Sequence, residues 1–277
     1  MSRGDGVSRI DAWGRGIGLA LVAGAALLLL LFIVLPLLAL FLHTTPSTLL
    51  ADLGQPEALG ALALSLQTTA TTLVLILVLG TPAAYLLARC RFPGRRIADS
   101  LVDLPIVLPP AVAGLALLIA FGRIGLLGPA LSAAGLRIAF TTTAVVMAQF
   151  FVACPFYIRA ARTGFAGVDR TLEEAAATLG SGGWGAFWRV TVPLARPSLV
   201  SGAILAWTRA LGEFGATIFF AGNNGGTETM PILIYVKLDA EGDIDTAVAL
   251  SAVLVVVSLV VLLLVRWSGR DAVGASA

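Results

Sequence analysis

Hydrophobic residues come in long unbroken runs along this chain rather than in alternation. Six runs occupy roughly residues 17–41, 61–88, 102–121, 140–158, 198–220 and 246–265. Each approaches or exceeds the ~20 residues an α-helix needs to cross a bilayer core. The pattern predicts an all-α membrane protein of six transmembrane helices. The first run is longer than the ~7–15-residue core of a signal peptide, and no small-x-small cleavage site follows it before HTTPS, so it is read as a retained span.

Composition agrees. The chain is 58% hydrophobic and 12% charged, against the roughly one quarter charged that soluble domains carry. The net charge of +2 matters less than its distribution. Arg3, Arg9 and Arg15 precede the first run; Arg89, Arg91, Arg95 and Arg96 follow the second; Arg159, Arg162, Arg170, Arg189 and Arg196 fall between the fourth and fifth; Arg266 and Arg270 follow the sixth. The alternate connections hold only Arg123, Arg137 and Lys237. An excess of arginine marks the cytoplasmic side, so both termini are expected there. The chain then divides into a cytoplasmic tail (1–16), a membrane domain (17–266) and a second cytoplasmic tail (267–277), with 170–193 in a long cytoplasmic loop.

Several chemistries are not expected. Cys90 and Cys154 form no CxxC pair and are read as free thiols. His43 stands alone, and no His, Cys or carboxylate cluster has metal-ligand spacing. There is one lysine and no GxxxxGK[ST], so no phosphate-cradling loop. No catalytic residue, metal, cofactor or nucleic-acid partner is assigned to the chain. If it pumps, its motor is another polypeptide or an ion gradient.

The most distinctive polar stretch is EEAAATLGSGGWGAFWRVTVP, residues 173–193. Thr171 and Glu174 have capping-box spacing. Ala175, Ala176 and Ala177 favour helix, and Gly180 suits a helix C-cap, where a positive φ is needed. Gly182 and Gly183 allow a reversal into a second short helix carrying Trp184, Phe187 and Trp188, ended by Pro193 and Pro197. Such a projection suits docking into a groove on a partner; an amphipathic piece lying on the membrane is the alternative.

Inside the spans, Arg209 and Glu213 are four residues apart on one predicted helix face. A charge at a helix centre costs ~2.5–3.5 kcal/mol on the insertion scale, so two roughly cancel the ~4 kcal/mol returned by the strongly apolar residues around them. They form either a pathway or gate element or an internal tether. Pro105, Pro109 and Pro110 crowd the first half of the third run. They mark either irregular backbone beside a pathway or a helix that starts at Pro109 or Pro110. The threonine clusters at 68–72 and 141–143 either meet polar cargo or pack between helices.

The segment Glu174-Ala175-Ala176, three residues, Gly180, nine residues, Val190-x-Val192-Pro193 resembles the EAA loop of ABC importer permeases, with valine at both the Ile and the Leu position of that motif. LPIVLPPAVAGLALLIAFG (104–122), RALGEFGATIFFAGN (209–223) and TETMPILIY (227–235) extend the resemblance over most of the chain, and are most similar to molybdate permeases, then sulfate permeases. The resemblance implies a type I importer transmembrane domain working as a homodimer. It implies a cytoplasmic ATPase dimer, which holds ATP and Mg, and an extracytoplasmic solute-binding protein. Coupling to the ATPase is expected through Glu173, Glu174, Ala175, Ala176, Gly180 and Trp184. Arg209, Glu213, Pro105 and Pro109 are the pathway or gate candidates. The expected cargo is molybdate, with tungstate and sulfate as alternatives; an ion-driven secondary transporter and a membrane scaffold are the rival classes.

Overall fold

A computed structural model describes residues 5–270. Its helices are α1 (Asp5–His43), α2 (Pro46–Leu53), α3 (Pro56–Arg89), α4 (Arg95–Val107), α5 (Pro110–Phe121), α6 (Gly128–Ala133), α7 (Thr142–Gly167), α8 (Arg170–Thr178), α9 (Gly183–Ala186), α10 (Val192–Leu211), α11 (Gly215–Phe220), α12 (Met230–Tyr235) and α13 (Ile244–Arg270). Wide π-helical turns at Phe187–Thr191 and Val236–Ala240 follow α9 and α12. Both predicted tails lie partly outside the described residues, and so do the side chains of Arg3, Arg9, Arg15, Arg266 and Arg270.

Among the described residues, five helical stretches are long and apolar enough to cross a membrane: Leu21–His43, Pro56–Arg89, Thr142–Gly167, Gly183–Leu211 and Ile244–Leu263. The sixth crossing, expected as one helix over 102–121, is instead the pair α4 and α5, bent by 116°. Two consecutive extended residues cause the bend: Leu108 (ψ 133°) precedes Pro109, and Pro109 (ψ 134°) precedes Pro110. A residue before proline is pushed out of the helical region, and proline offers no amide to the preceding turn. With 12 residues, α5 is about 18 Å long and cannot span ~30 Å of hydrocarbon alone.

The centre of the molecule is α7, packed between α3 and α10. The buried stripe of α3 is small: Ala58, Ala61, Ser65, Thr68, Thr69, Thr72, Gly80 and Ala84, with Ile76 and Leu87. Small residues let backbones approach where lipid supplies no hydrophobic drive between helices. Gly202 on α10 shows how close: an added Cβ would lie 2.8 Å from Cβ of Ala160. The threonines join this packing. Thr72 donates to Oε1 of Gln149 at 3.0 Å, and Gln149 Nε2 donates to Thr68 at 3.2 Å. These bonds engage Thr68 and Thr72 between helices, which removes these two threonines as cargo contacts. By contrast α1 is exposed along nearly all its described length, Leu19 to Leu42.

The parallel helices α3 and α7 finish at the same end, where Arg89 reaches the carbonyl of Val168 at 2.9 Å. Arg159 and Arg162, expected in the loop after the fourth span, belong to α7 itself, and pair with Asp103 (3.7 Å) and Asp99 of α4. The opposite end carries α2, α6 and α12 and the loops beside them.

Candidate functional site

At the arginine-rich end, residues 168–192 form a compact projection. α8 is capped not by Thr171, as the capping-box spacing predicted, but by Asp169, whose Oδ1 accepts the Thr171 amide at 2.9 Å. Hydrogen bonds from the Thr171 backbone and side chain hold the Asp169 carboxyl below its usual range. The cap therefore acts fully above the ordinary carboxylate range and is lost as pH falls through that lowered value. The far end of α8 closes in a Schellman motif: the Ser181 amide reaches the Ala176 carbonyl and the Gly180 amide the Ala177 carbonyl, each at 3.0 Å, with Gly180 at φ 87°.

After Gly182 the chain does not form an isolated second helix. α9, the π turn and α10 run on as one 29-residue helix, Gly183–Leu211. Pro193 and Pro197 stand in its path without ending it. The Val192 amide bonds back to Phe187, five residues earlier; this wide turn brings the chain to Pro193, which has no amide to place. The projection is thus the foot of a membrane helix.

Glu173 and Glu174, adjacent in sequence, do different things. Glu173 points inward. Its Oε1 lies 3.0 Å from Arg89 Nη2 and accepts from the Thr191 hydroxyl at 2.6 Å. The Arg89 and Glu173 side chains are 9% and 21% exposed, so solvent screens this pair little. Arg170 adds a bond to the Arg89 carbonyl at 3.0 Å. One ion pair thereby joins the end of α3, the end of α7, α8 and the turn into α10. Arg89 and Thr191 were invisible as site residues in the sequence, because 84 and 18 positions separate them from Glu173 and no local spacing encodes the contact.

Glu174, Ala175 and Gly180 are exposed and Ala176 is half-buried. Leu179 and Trp184 project furthest, at 87% and 74% exposure, with Trp188 beside them. Trp184 stacks on Phe187 at 5.7 Å and meets Trp188 edge-on at 5.8 Å. Tyr85, Arg89, Arg170, Glu173, Glu174 and Phe187 line a cleft of about 350 Å³ between α8 and α9.

The second candidate group lies within the spans. Glu213 is not on the helix face that carries Arg209: α10 ends at Leu211, and Glu213 occupies the break before α11. It is 1% exposed, with Oε2 2.6 Å from Arg209 Nη2, while Arg209 keeps 29% exposure. Its Oε1 accepts the Ala216 amide at 2.7 Å, holding the start of α11. The structure brings this break against the proline break. A Cβ on Gly215 would sit 2.7 Å from Cβ of Pro110, and one on Gly114 would sit 2.5 Å from the Ala216 carbonyl oxygen. Pro109 lies at this junction, whereas Pro105 sits inside α4 on the other side of the bend. Two half-helices, α5 and α11, thus pack at glycine distance, each preceded by non-helical backbone, as is tolerated at membrane depth only against protein or a wet cavity.

Among the described residues no group of three or more His, Cys, Asp or Glu side chains could hold a metal ion.

Broken half-helices within a small-residue bundle, joined to a capped projection at the arginine-rich end, describe a multi-span helical membrane protein. The chain belongs to the family of binding-protein-dependent transport system inner membrane components, matched over residues 80–272. It is 48% identical over 239 residues to the molybdenum transport system permease protein ModB of Mycobacterium tuberculosis, covering 84% of this chain and 88% of that one. It is 39% identical over 212 residues to ModB of Escherichia coli K12, covering 76% and 93%. In fold it is similar to a bacterial ABC transporter involved in the import of the acidic polysaccharide alginate, with a TM-score of 0.76, 15% identity and coverage of 94% and 97%. The fold is that of a type I ABC importer transmembrane domain, and the chain is an ABC importer permease, most like the molybdate permeases.

Proposed function

We propose that this chain forms, as a homodimer, the translocation pathway of an ATP-driven importer of molybdate. The observation that carries the coupling role is the projection at 168–192: a capped helix, exposed Leu179, Trp184 and Trp188, and a partly buried ion pair tying it to three other elements. Exposed aromatic and aliphatic anchors on a rigid base suit a soluble protein's groove. The excess of arginine at this end supports a cytoplasmic position for it, where a partner ATPase would hold ATP and Mg. Glu174, Ala175, Gly180 and Trp184 face that partner; Glu173 acts inside the chain.

Closure of the ATPase dimer would draw two such projections together. Because the projection is the foot of the helix ending at Leu211, a displacement there reaches the break at Glu213 and the α5–α11 contact through continuous helix. Arg209 and Glu213 hold that break in a defined shape, and Arg209 retains donors for a passing oxyanion. The pairing with Glu213 cancels its charge, which suits a group that lets a dianion pass rather than traps it. Selection would rest with an extracytoplasmic binding protein.

The cargo is proposed from the relatives named for molybdenum transport. In proteoliposomes holding the permease, its ATPase and its binding protein, molybdate is expected to stimulate ATP hydrolysis and uptake at concentrations where sulfate does little. Stimulation by sulfate alone would reassign the cargo; stimulation by a sugar or amino acid alone would overturn the oxyanion reading.

A further inference from the structure

The end of the molecule opposite the coupling projection is divided in charge. Asp52, Glu57, Glu228, Asp239, Glu241, Asp243 and Asp245 lie on α2, the start of α3 and the segments flanking α12 and α13. The cation among them is already engaged: Lys237 Nζ is 3.0 Å from Glu57 and 2.9 Å from Glu241. On the α5–α6–α7 side the position is reversed. No acidic residue occurs between Asp103 and Asp169. Arg123 and Arg137 lie in that interval, both exposed, and the ion pairs among the described residues include neither.

The two arginines line one cavity of about 460 Å³, together with Phe121, Ser132, Leu136 and Phe140. Its walls are held before any partner arrives. The Leu126 and Leu127 amides fold the α5–α6 turn back onto the Ile119 and Ala120 carbonyls, at 2.8 and 2.9 Å. Gly128 is buried beneath Arg123, where a Cβ would meet the Arg123 carbonyl oxygen at 2.4 Å. Phe140, with φ 61°, is the non-glycine residue with positive φ among the described residues, a strained conformation that only surrounding structure can enforce. Its amide bonds to the Phe220 carbonyl at 3.2 Å, so the cavity wall is continuous with α11. Ile124, Leu126, Leu136 and Phe140 are exposed around it. Two unneutralised guanidinium groups in a prebuilt cleft with an apolar rim fit a carboxylate presented by a protein surface, which such groups bind with fixed geometry.

We propose that Arg123 and Arg137 form the anchor for an acidic side chain of the extracytoplasmic binding protein, and that the acidic pole across the same face meets a basic patch on that protein. Two poles of opposite sign fix the docking orientation as well as the affinity. The proposal rests on the importer reading, which puts this end outside.

The test measures docking directly. The permease–ATPase complex is held in neutral-lipid nanodiscs, and its cognate binding protein, loaded with molybdate, is titrated over it. The parent complex is expected to dock. The double variant Arg123→Gln/Arg137→Gln should need about tenfold or more binding protein for half-saturation, with a shallower salt dependence. Arg→Lys at both sites should keep most of the affinity, and gel-filtration elution at the parental volume shows that the variants are folded. A charge reversal, Arg137→Glu, should be rescued by a lysine in place of the binding-protein carboxylate that cross-links to Arg137→Cys. Equal half-saturation of the parent and the double Gln variant would overturn the anchor while leaving the importer reading intact. A parent that docks no binding protein would overturn the importer reading, and the anchor with it. An arginine-dependent effect confined to anionic-lipid nanodiscs would assign the cavity to lipid headgroups instead.

Discussion

Replacing Arg89 by Leu, Glu173 by Leu, and both together separates a joint from two independent contacts. In the native chain Glu173 accepts from Arg89 at 3.0 Å and from Thr191 at 2.6 Å, and Arg89 also holds the Val168 carbonyl. Hydrogen bonds to charged groups are worth about 1.5–3 kcal/mol each, and stranding one partner of a fully buried pair costs about 3–5 kcal/mol. Glu173 keeps 21% exposure, which places each single replacement nearer the lower range, about 2–3 kcal/mol. Losing both partners removes the stranded charge, so the double variant should fall short of the summed singles by about 1.5–2 kcal/mol. At 1.4 kcal/mol per tenfold, each single variant would shift the equilibrium between seated and released α8 by about thirtyfold or more. The readouts are protection of the Leu172 to Ala177 amides by hydrogen exchange, and the ratio of substrate-stimulated to unstimulated ATP hydrolysis in the reconstituted importer. Both should fall together in the singles and recover in part in the double. Strictly additive losses, or full α8 protection in Arg89→Leu, would refute the joint.

Gly180→Val should weaken coupling by a backbone effect alone. A Cβ there meets nothing within 4 Å, so the cost is the positive φ, about 1–3 kcal/mol, and Gly180→Asn should retain most function; equal loss in both would point to side-chain contact instead. For orientation, in a Cys154→Ser background, Cys90 should react with a membrane-impermeant maleimide from the cytoplasmic side, and Asn224→Cys from outside; the reverse pattern would invert the topology. Arg209→Leu or Glu213→Leu alone should lower membrane-inserted yield more than the two combined, since a lone charge at membrane depth costs about 2.5–3.5 kcal/mol; the Glu213 variant should lose more than the Arg209 variant, because it also releases the Ala216 amide.

The sequence alone carried the membrane class, the apolar spans and the short capped helix that opens the 170–193 loop, and each for a local reason. Twenty apolar residues in a row have few alternatives to a span, and alanines closed by Gly180 make a short capped helix wherever they lie. What it misjudged turned on competition between local signals. Asp169 took the cap from Thr171, being closer to the first free amide. The run over 102–121 became two helices bent by 116° because two successive pre-proline residues left the helical region, so the second helix starts at Pro110, as one of the two sequence readings had it, while Pro193 and Pro197 did not end the helix that carries them. Contacts across long stretches of chain were decided only in three dimensions. Neither the Arg89–Glu173 pair nor the meeting of Gly215 with Pro110 leaves a spacing to read, since each depends on which helices pack at which depth. Glu173 and Glu174 share a neighbourhood in sequence and the same chemistry; only the rotation of α8 against α3 sends one into a partly buried ion pair and leaves the other at the surface.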